Sequence, residues 1–319
     1  IGGSKSYSFD RFKTRSSAGN AFRHRMGLHH GETEFMTTIA ELIRNRFGLE
    51  TDIKAGAGAG WEAEGGSATL AELLNRRSSR RYTDEPVPDE LLEVLLACAQ
   101  SAPTKSNLQQ YSIVVVDDPD QRSKLAALCP DTGQLESSAL FLVFCADLNR
   151  NRRLGGIRNR PNDNDNMDSF LNGTVDAALA MQCFITAAES IGLGTACISE
   201  VRNRIGELSD VLGLPDGVFP IAGLTAGWPA AGGFINQRIP PSVAVHRDRY
   251  DDSNLEAEIE AYDTRRHDIF PIAPDKQRRV AEYGVADYCP WSENVVRQLS
   301  IPERPGFREF LKSRGFALD

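Results

Sequence analysis

The chain has 319 residues, 41% hydrophobic and 25% charged, enough apolar material for one large domain or two ordinary ones with a substantial core. A formal net charge of −8 excludes a dedicated nucleic-acid binder, because a phosphate backbone demands a basic face and no lysine-arginine block supplies one. The longest wholly apolar run, residues 139–146, is far shorter than the roughly 20 residues a membrane span needs.

Residues 1–35 are polar, rich in Ser, Arg and Gly, and lack a sustained apolar period. They read as a disordered or expression-derived leader, with Met36 a candidate natural start and no signal peptide evident. Residues 36–66 read as an N-terminal extension: a short amphipathic helix over 36–49, then the linker Ala55-Gly56-Ala57-Gly58-Ala59-Gly60. The G-x-G-x-x-G spacing of a dinucleotide loop is absent there, so a flexible Gly/Ala-rich linker is the better reading. The main domain is expected over 67–319.

Ser67 is placed to cap a helix through Leu70, Leu73 and Leu74, which delivers Arg76-Arg77-Ser78-Ser79-Arg80 to its C-terminal end. Pro88-Asp89 starts a second helix with a broad apolar face. Residues 111–116 form a β-branched run that predicts a strand, and Asp118-Pro119 supplies an N-cap followed by Pro at the first helical position, predicting a helix over 119–128. A buried strand is expected at 140–146, and the charged, asparagine-rich segment 150–168 reads as loop plus helix cap.

The longest helix is predicted over 170–191, where Leu171, Val175, Ala178, Leu179, Gln182, Cys183, Ile185 and Thr186 keep a 3.6 period and Gly192 stops it. Strand 195–199, helix 203–212, strand 220–227, a strand-like 242–246, a charged helix over 254–266 and helices over 291–299 and 307–314 complete the chain. Strands alternate with helices, which points to an α+β (α/β-like) fold with helices flanking a central sheet.

Six cysteines (Cys98, Cys129, Cys145, Cys183, Cys197 and Cys289) lie in apolar surroundings without a CxxC pair, which favours buried free thiols over disulfides or metal ligands and fits a reducing, cytoplasmic setting. His246 and His267 lack metal-site spacing, so no metal is expected. The cluster Arg76-Arg77-Ser78-Ser79-Arg80 has two readings, a solvated loop or an anion-capturing one in which guanidinium groups fork onto phosphate oxygens. Spacing alone does not decide between them.

Three ordered segments carry a resemblance. Arg77-Ser78-x-Arg80-x-Tyr82-Thr83-Asp84-Glu85-Pro86, Ser101-Ala102-Pro103-Thr104-Lys105-Ser106-Asn107-Leu108-Gln109, and Asp176-Ala177-Ala178-x-Ala180-x-Gln182 with Ala187-Ala188-Glu189-Ser190-Ile191-Gly192-Leu193-Gly194 together resemble the FMN-dependent nitroreductase family. The continuation through Gly227-Trp228-Pro229, Arg238-Ile239-Pro240-Pro241-Ser242 and Arg304-Pro305 is similar to its oxygen-insensitive NADPH nitroreductase and flavin reductase branch. The likeness spans residues 70–319 in the correct order.

That resemblance implies a nitroreductase fold, a mostly antiparallel sheet flanked by helices, in an intertwined homodimer with a C-terminal extension. It implies FMN as cofactor, NADPH or NADH as donor, and ping-pong hydride transfer to a small-molecule nitroaromatic, quinone or flavin acceptor. By position, Arg76, Arg77 and Ser78 would meet the FMN phosphate and ribityl chain, and Arg80 the pyrimidine edge, where a fixed cation suits the anionic reduced ring. Thr104, Lys105 and Ser106 match a hydroxyl-rich loop that reaches the flavin across the dimer interface, and Arg238 matches an arginine that returns to the phosphate.

Other positions depart from the family pattern. Thr132 stands, in ungapped alignment, where a glutamine commonly touches the flavin, with Gln134 the shifted alternative. Cys197-Ile198-Ser199-Glu200 replaces an aromatic and glycine-rich strand end whose backbone N–H lies near flavin N5 in the family. Asn236 stands in place of a usual phosphate-binding lysine, leaving Arg76 or Lys105 to supply compensating charge. Ser106, Asn107 and Arg304 are the expected acceptor residues. Two alternatives stay open: a specialised member such as a dehydrogenase, reductive dehalogenase or flavin-consuming oxygenase, and a non-catalytic flavin-binding sensor.

Overall fold

The computed structural model describes residues 39–50 and 66–319, so the expectations for the leader and for the Gly/Ala linker lie outside the described residues. Its centre is the apolar run that the sequence marks, which forms strand β2 (Leu140–Asp147) and is buried at every position. Around it are β1 (Tyr111–Val115), β3 (Gly194–Ile198) and β4 (Val218–Gly227), in the order β1-β2-β4-β3 with every neighbouring pair antiparallel. Because both faces of β2 are covered, its sequence is apolar at every position from Leu140 to Ala146 instead of alternating.

Period-two geometry sends alternate side chains to opposite faces. On one face Leu142, Phe144, Leu224 and Ala226 pack with Ala177, Ala180, Phe184 and Ala188 and with Leu92, Leu95 and Ala99. These come from the helices α7 (Met167–Ser190) and α3 (Asp89–Gln100). On the other face Phe141, Val143 and Cys145 meet Leu125, Leu128 and Leu208, from the helices α4 (Pro119–Leu128) and α8 (Ile205–Val211). Each large side chain so buried contributes roughly 1.5–3 kcal/mol. Phe219 binds the C-terminal helix α13 (Phe307–Ser313) to the sheet through ring contacts with Phe307 at 5.1 Å and Phe310 at 6.2 Å.

The caps explain where the helices start. Asp118 accepts the Gln121 N–H at 2.7 Å, with Pro119 opening α4 as expected, and Asn166 accepts the Ser169 N–H at 3.1 Å to open α7. Helix α1 (Ile39–Phe47) realises the short N-terminal helix, and α2 (Gly66–Asn75) precedes the arginine cluster. Ser67 falls inside α2, whose first residue is Gly66. Helix α12 (Trp291–Leu299) has the predicted bounds.

Two expectations are corrected. The segment taken as loop contains a helix, α6 (Asn149–Arg158), because its charges have tertiary partners in place of water. Arg150 donates to the carbonyls of Gln109 at 2.7 Å and Tyr111 at 2.9 Å, and Arg152 pairs with Asp165 at 2.5 Å. The strand-like 242–246 instead begins in a single helical turn, α9 (Pro241–Ala244), where Pro241 pre-sets φ and no strand lies alongside to pair with it among the described residues.

Helix α7 carries a further surprise. Its aliphatic stripe faces outward, with Leu171 55%, Val175 47% and Leu179 37% exposed, while its small residues Gly173, Ala177, Ala180 and Ala188 face the sheet. The helix is apolar on two sides, and only one of them is covered by its own chain. Among the described residues no helix is long and apolar enough to cross a membrane.

Candidate functional site

After α2 the chain runs extended along the free edge of β3. Ser78 bridges Thr195 in parallel, and the Ser79 N–H donates to the Thr195 carbonyl at 2.9 Å. Further on, the Thr83 N–H donates to Trp228 O and the Ala230 N–H to Arg81 O, at 2.9 and 3.0 Å. Ser79 and Tyr82 point inward, both 9% exposed, so Arg77, Arg80 and Arg81 are left on the outer side. The Tyr82 hydroxyl donates to the Ser79 carbonyl at 2.6 Å and lies 3.0 Å from Thr225 Oγ1. Burial pushes its pKa up to about 12, which keeps it a neutral donor. Gly194 permits this close approach: a Cβ there would fall 2.4 Å from Ser79 Cβ.

The outcome is a cavity of about 650 Å³ lined by Arg46, Arg76, Arg77, Arg80, Arg81 and Arg238, together with Ser78, Asn236 and the loop 231–234. That volume is within the roughly 300–1,000 Å³ of small-molecule sites. Opposing this charge among the described residues is the carboxylate of Glu189, whose Oε2 lies 3.4 Å from Arg76 Nε and whose Oε1 accepts the Thr195 hydroxyl at 2.5 Å. Burial raises the Glu189 pKa. Arg77, Arg80, Arg81 and Arg238 form no ion pair among the described residues. Converging, unpaired guanidinium groups repel one another, and an anion bound between them relieves that repulsion. The residues therefore fit a phosphorylated ligand such as FMN.

Of the sequence-predicted residues, Arg76, Arg77, Ser78, Arg80, Asn236 and Arg238 are thus brought together. Thr132, Ile198, Ser199, Glu200 and Arg304 gather at the other end of β3. Ile198 is buried in the core, and Glu200 accepts the Asp131 N–H at 3.1 Å and the Thr132 hydroxyl. Arg304 donates to Asn203 Oδ1 at 2.9 Å and to the Ser199 carbonyl at 3.4 Å.

Thr104, Lys105, Ser106 and Asn107 do not line the arginine cavity of their own chain. They form a loop held by the buried carboxylate of Asp176, which accepts the Lys105 N–H at 2.9 Å and the Gln110 N–H at 3.0 Å. Ser106, Asn107 and Gln109 adopt positive φ (48°, 58° and 52°), a backbone costly for residues other than glycine that persists only where neighbours enforce it.

Four site residues carry no assignment from sequence: Arg46, Arg81, Glu189 and Asp176. An acid at the end of a small-residue helix, Ala187-Ala188-Glu189, is a signal for the third. Arg46 carries no local signal at all. Among the described residues no cluster of His, Cys, Asp or Glu could hold a metal ion.

Comparisons with known proteins point to one family. A family model described as "Nitroreductase family" matches residues 73–228, and one described as "Nitroreductase family, C-terminal domain" matches 236–319. The chain is 33% identical over 254 residues to an FMN reductase [NAD(P)H] of Bacillus subtilis, covering 78% of this chain and 98% of that enzyme. It is 33% identical over 252 residues to an oxygen-insensitive NADPH nitroreductase of Salmonella typhimurium, covering 79% and 99%. Among solved structures, the NADPH:FMN oxidoreductase of Vibrio harveyi complexed with NAD+ superposes with a TM-score of 0.68 at 30% identity, covering 78% of this chain and 98% of that one.

Proposed function

This chain belongs to the nitroreductase family, and on that premise we propose that it is an FMN-dependent NAD(P)H oxidoreductase reducing nitroaromatic, quinone or flavin acceptors. The observation that carries the reading is the cavity lined by six arginines, one of which, Arg76, is ion-paired to Glu189, beside the edge of β3. Bound FMN supplies the two-electron chemistry between donor and acceptor. The protein supplies binding, orientation and charge.

In this reading Arg76, Arg77, Ser78 and Arg238 hold the phosphate and ribityl chain. Arg80 sets a cation that cannot deprotonate against the pyrimidine edge, where negative charge develops on reduction. Thr132 and the strand end Ile198-Ser199-Glu200 border the reacting edge of the ring, and Ser106, Asn107 and Arg304 face the acceptor. Donor and acceptor use one slot in turn, which gives ping-pong kinetics.

The cofactor site is completed by a second copy of the chain. The exposed stripe Leu171, Val175 and Leu179 on α7 supports a homodimer, because so much aliphatic surface on one helix face is costly to leave in water. The partner's loop 104–107 then reaches the cavity that its own chain leaves without it. The six free cysteines support a reducing, cytoplasmic setting.

Anaerobic mixing of FMN-loaded protein with NADPH or NADH tests this reading. Bleaching of the bound flavin, followed by recolouring on addition of a nitroarene or quinone, is the expected result, with light scattering reporting twice the 35.1 kDa chain mass. Bound flavin that never bleaches would instead indicate a sensor.

A further inference from the structure

Arg46 lies on α1, ahead of the segment the family model matches, yet it is only 7% exposed and lines the arginine cavity. Four of its five N–H groups are engaged by backbone carbonyls. Nε and Nη2 donate to Leu74 O at 3.1 and 2.8 Å, Nη2 also donates to Arg76 O, and Nη1 donates to Asn236 O at 3.2 Å. Its own carbonyl accepts the Arg238 N–H at 2.9 Å. One side chain therefore joins the outgoing arm, residues 74–76, to the returning arm, residues 236–238, which begins 190 positions after Arg46 itself.

The turn behind Arg46 is built to match. Gly48, at φ +64°, closes α1 by donating to Arg44 O at 2.7 Å, and a Cβ there would fall 2.8 Å from the amide of buried Gln237. Charge is the second observation. Burial, then Arg238 and Arg76, lower the Arg46 pKa, so its cation stands in a desolvated place among like charges with Glu189 as the opposing acid. A buried cation in that setting is costly unless an anion completes it.

We propose that Arg46 is a positioning residue for the phosphate of the cofactor, fixing the spacing of the two arginine-bearing arms and adding the cation that Asn236 does not supply. The compensating charge thus comes from α1, whereas sequence pointed to Arg76 or Lys105. The assignment rests on the FMN reading above, and it makes the N-terminal helix a part of the cofactor site.

The test uses the full-length chain with Arg46→Met and Arg46→Lys. FMN and riboflavin affinities are measured side by side, because riboflavin lacks the phosphate. Arg46→Met is expected to weaken FMN at least tenfold and leave riboflavin within twofold, with Arg46→Lys intermediate, since one ammonium restores charge but not the three-carbonyl clamp. Unchanged FMN affinity overturns the proposal. So does an equal loss for both ligands, which marks a general structural role, or a shift confined to the preference for NADPH over NADH. If Arg46→Met does not fold, Arg46→Lys alone decides on the same ratio. Thermal protection by inorganic phosphate, expected in wild type and diminished in both variants, tests the clamp even if wild type takes up no FMN. That last outcome would break the functional reading and leave the phosphate arm to judge this one.

Discussion

The two ends of β3, a strand of five residues, handle charge in opposite ways. At the Gly194-Thr195 end six guanidinium groups converge on one cavity, and among the described residues Glu189 is the one carboxylate ion-paired with any of them. At the Ile198 end each charged group has its own polar partners: Glu200 accepts the Asp131 N–H and the Thr132 hydroxyl, and Arg304 donates to Asn203, the Ser199 carbonyl and Glu303. An array of unpaired like charges costs folding energy, so it persists where a ligand repays it. A closed set of hydrogen bonds needs no ligand and serves as scaffold. On the proposed reading the first end binds the cofactor, and the second shapes the wall beside it.

The largest effect is expected at the unpaired end. Arg80→Ala should retain FMN while slowing anaerobic flavin reduction by roughly 100-fold, the scale seen when one preorganised electrostatic partner of a developing charge is removed. A reduction rate within twofold of wild type, at equal flavin occupancy, would remove Arg80 from the reacting edge and blur the contrast between the two ends. The smaller effect belongs to the paired end. Glu200→Gln should leave FMN affinity within about threefold and cost about 1–2 kcal/mol of stability, because the new amide cannot accept both the Asp131 N–H and the Thr132 hydroxyl as the carboxylate does. Thermal melting measures that cost. A large loss of flavin binding without a change in melting would make Glu200 a ligand contact and overturn its role as scaffold.

How much of this was legible in the chain depended on the range of the forces involved. Strand β2 and helix α4 were readable because an unbroken apolar run and an Asp118-Pro119 start are local signals. The arginine cluster was visible, but its purpose was not, since a solvated loop has the same composition. Resemblance, and then the convergence with Arg238, separated the two readings.

Where sequence misled, the reason was a distant partner. The charges of 149–158 suggested solvent, yet Arg150 and Arg152 have carbonyl and carboxylate partners in the fold. The apolar period of α7 located the helix correctly but did not say which face the sheet would take, and the small residues won because they allow the closest approach. Arg46 reads as a basic residue near the end of a short helix, and the bond from its Nη1 to Asn236 O, across 190 positions, is what gives it a role.

The central claim is that the arginine-lined cavity holds FMN. Titrating the purified chain with FMN while recording the visible spectrum tests it most directly. The account predicts one FMN bound per chain, with an affinity that falls as inorganic phosphate is added. Protein that stays colourless after incubation with FMN and gel filtration would contradict it.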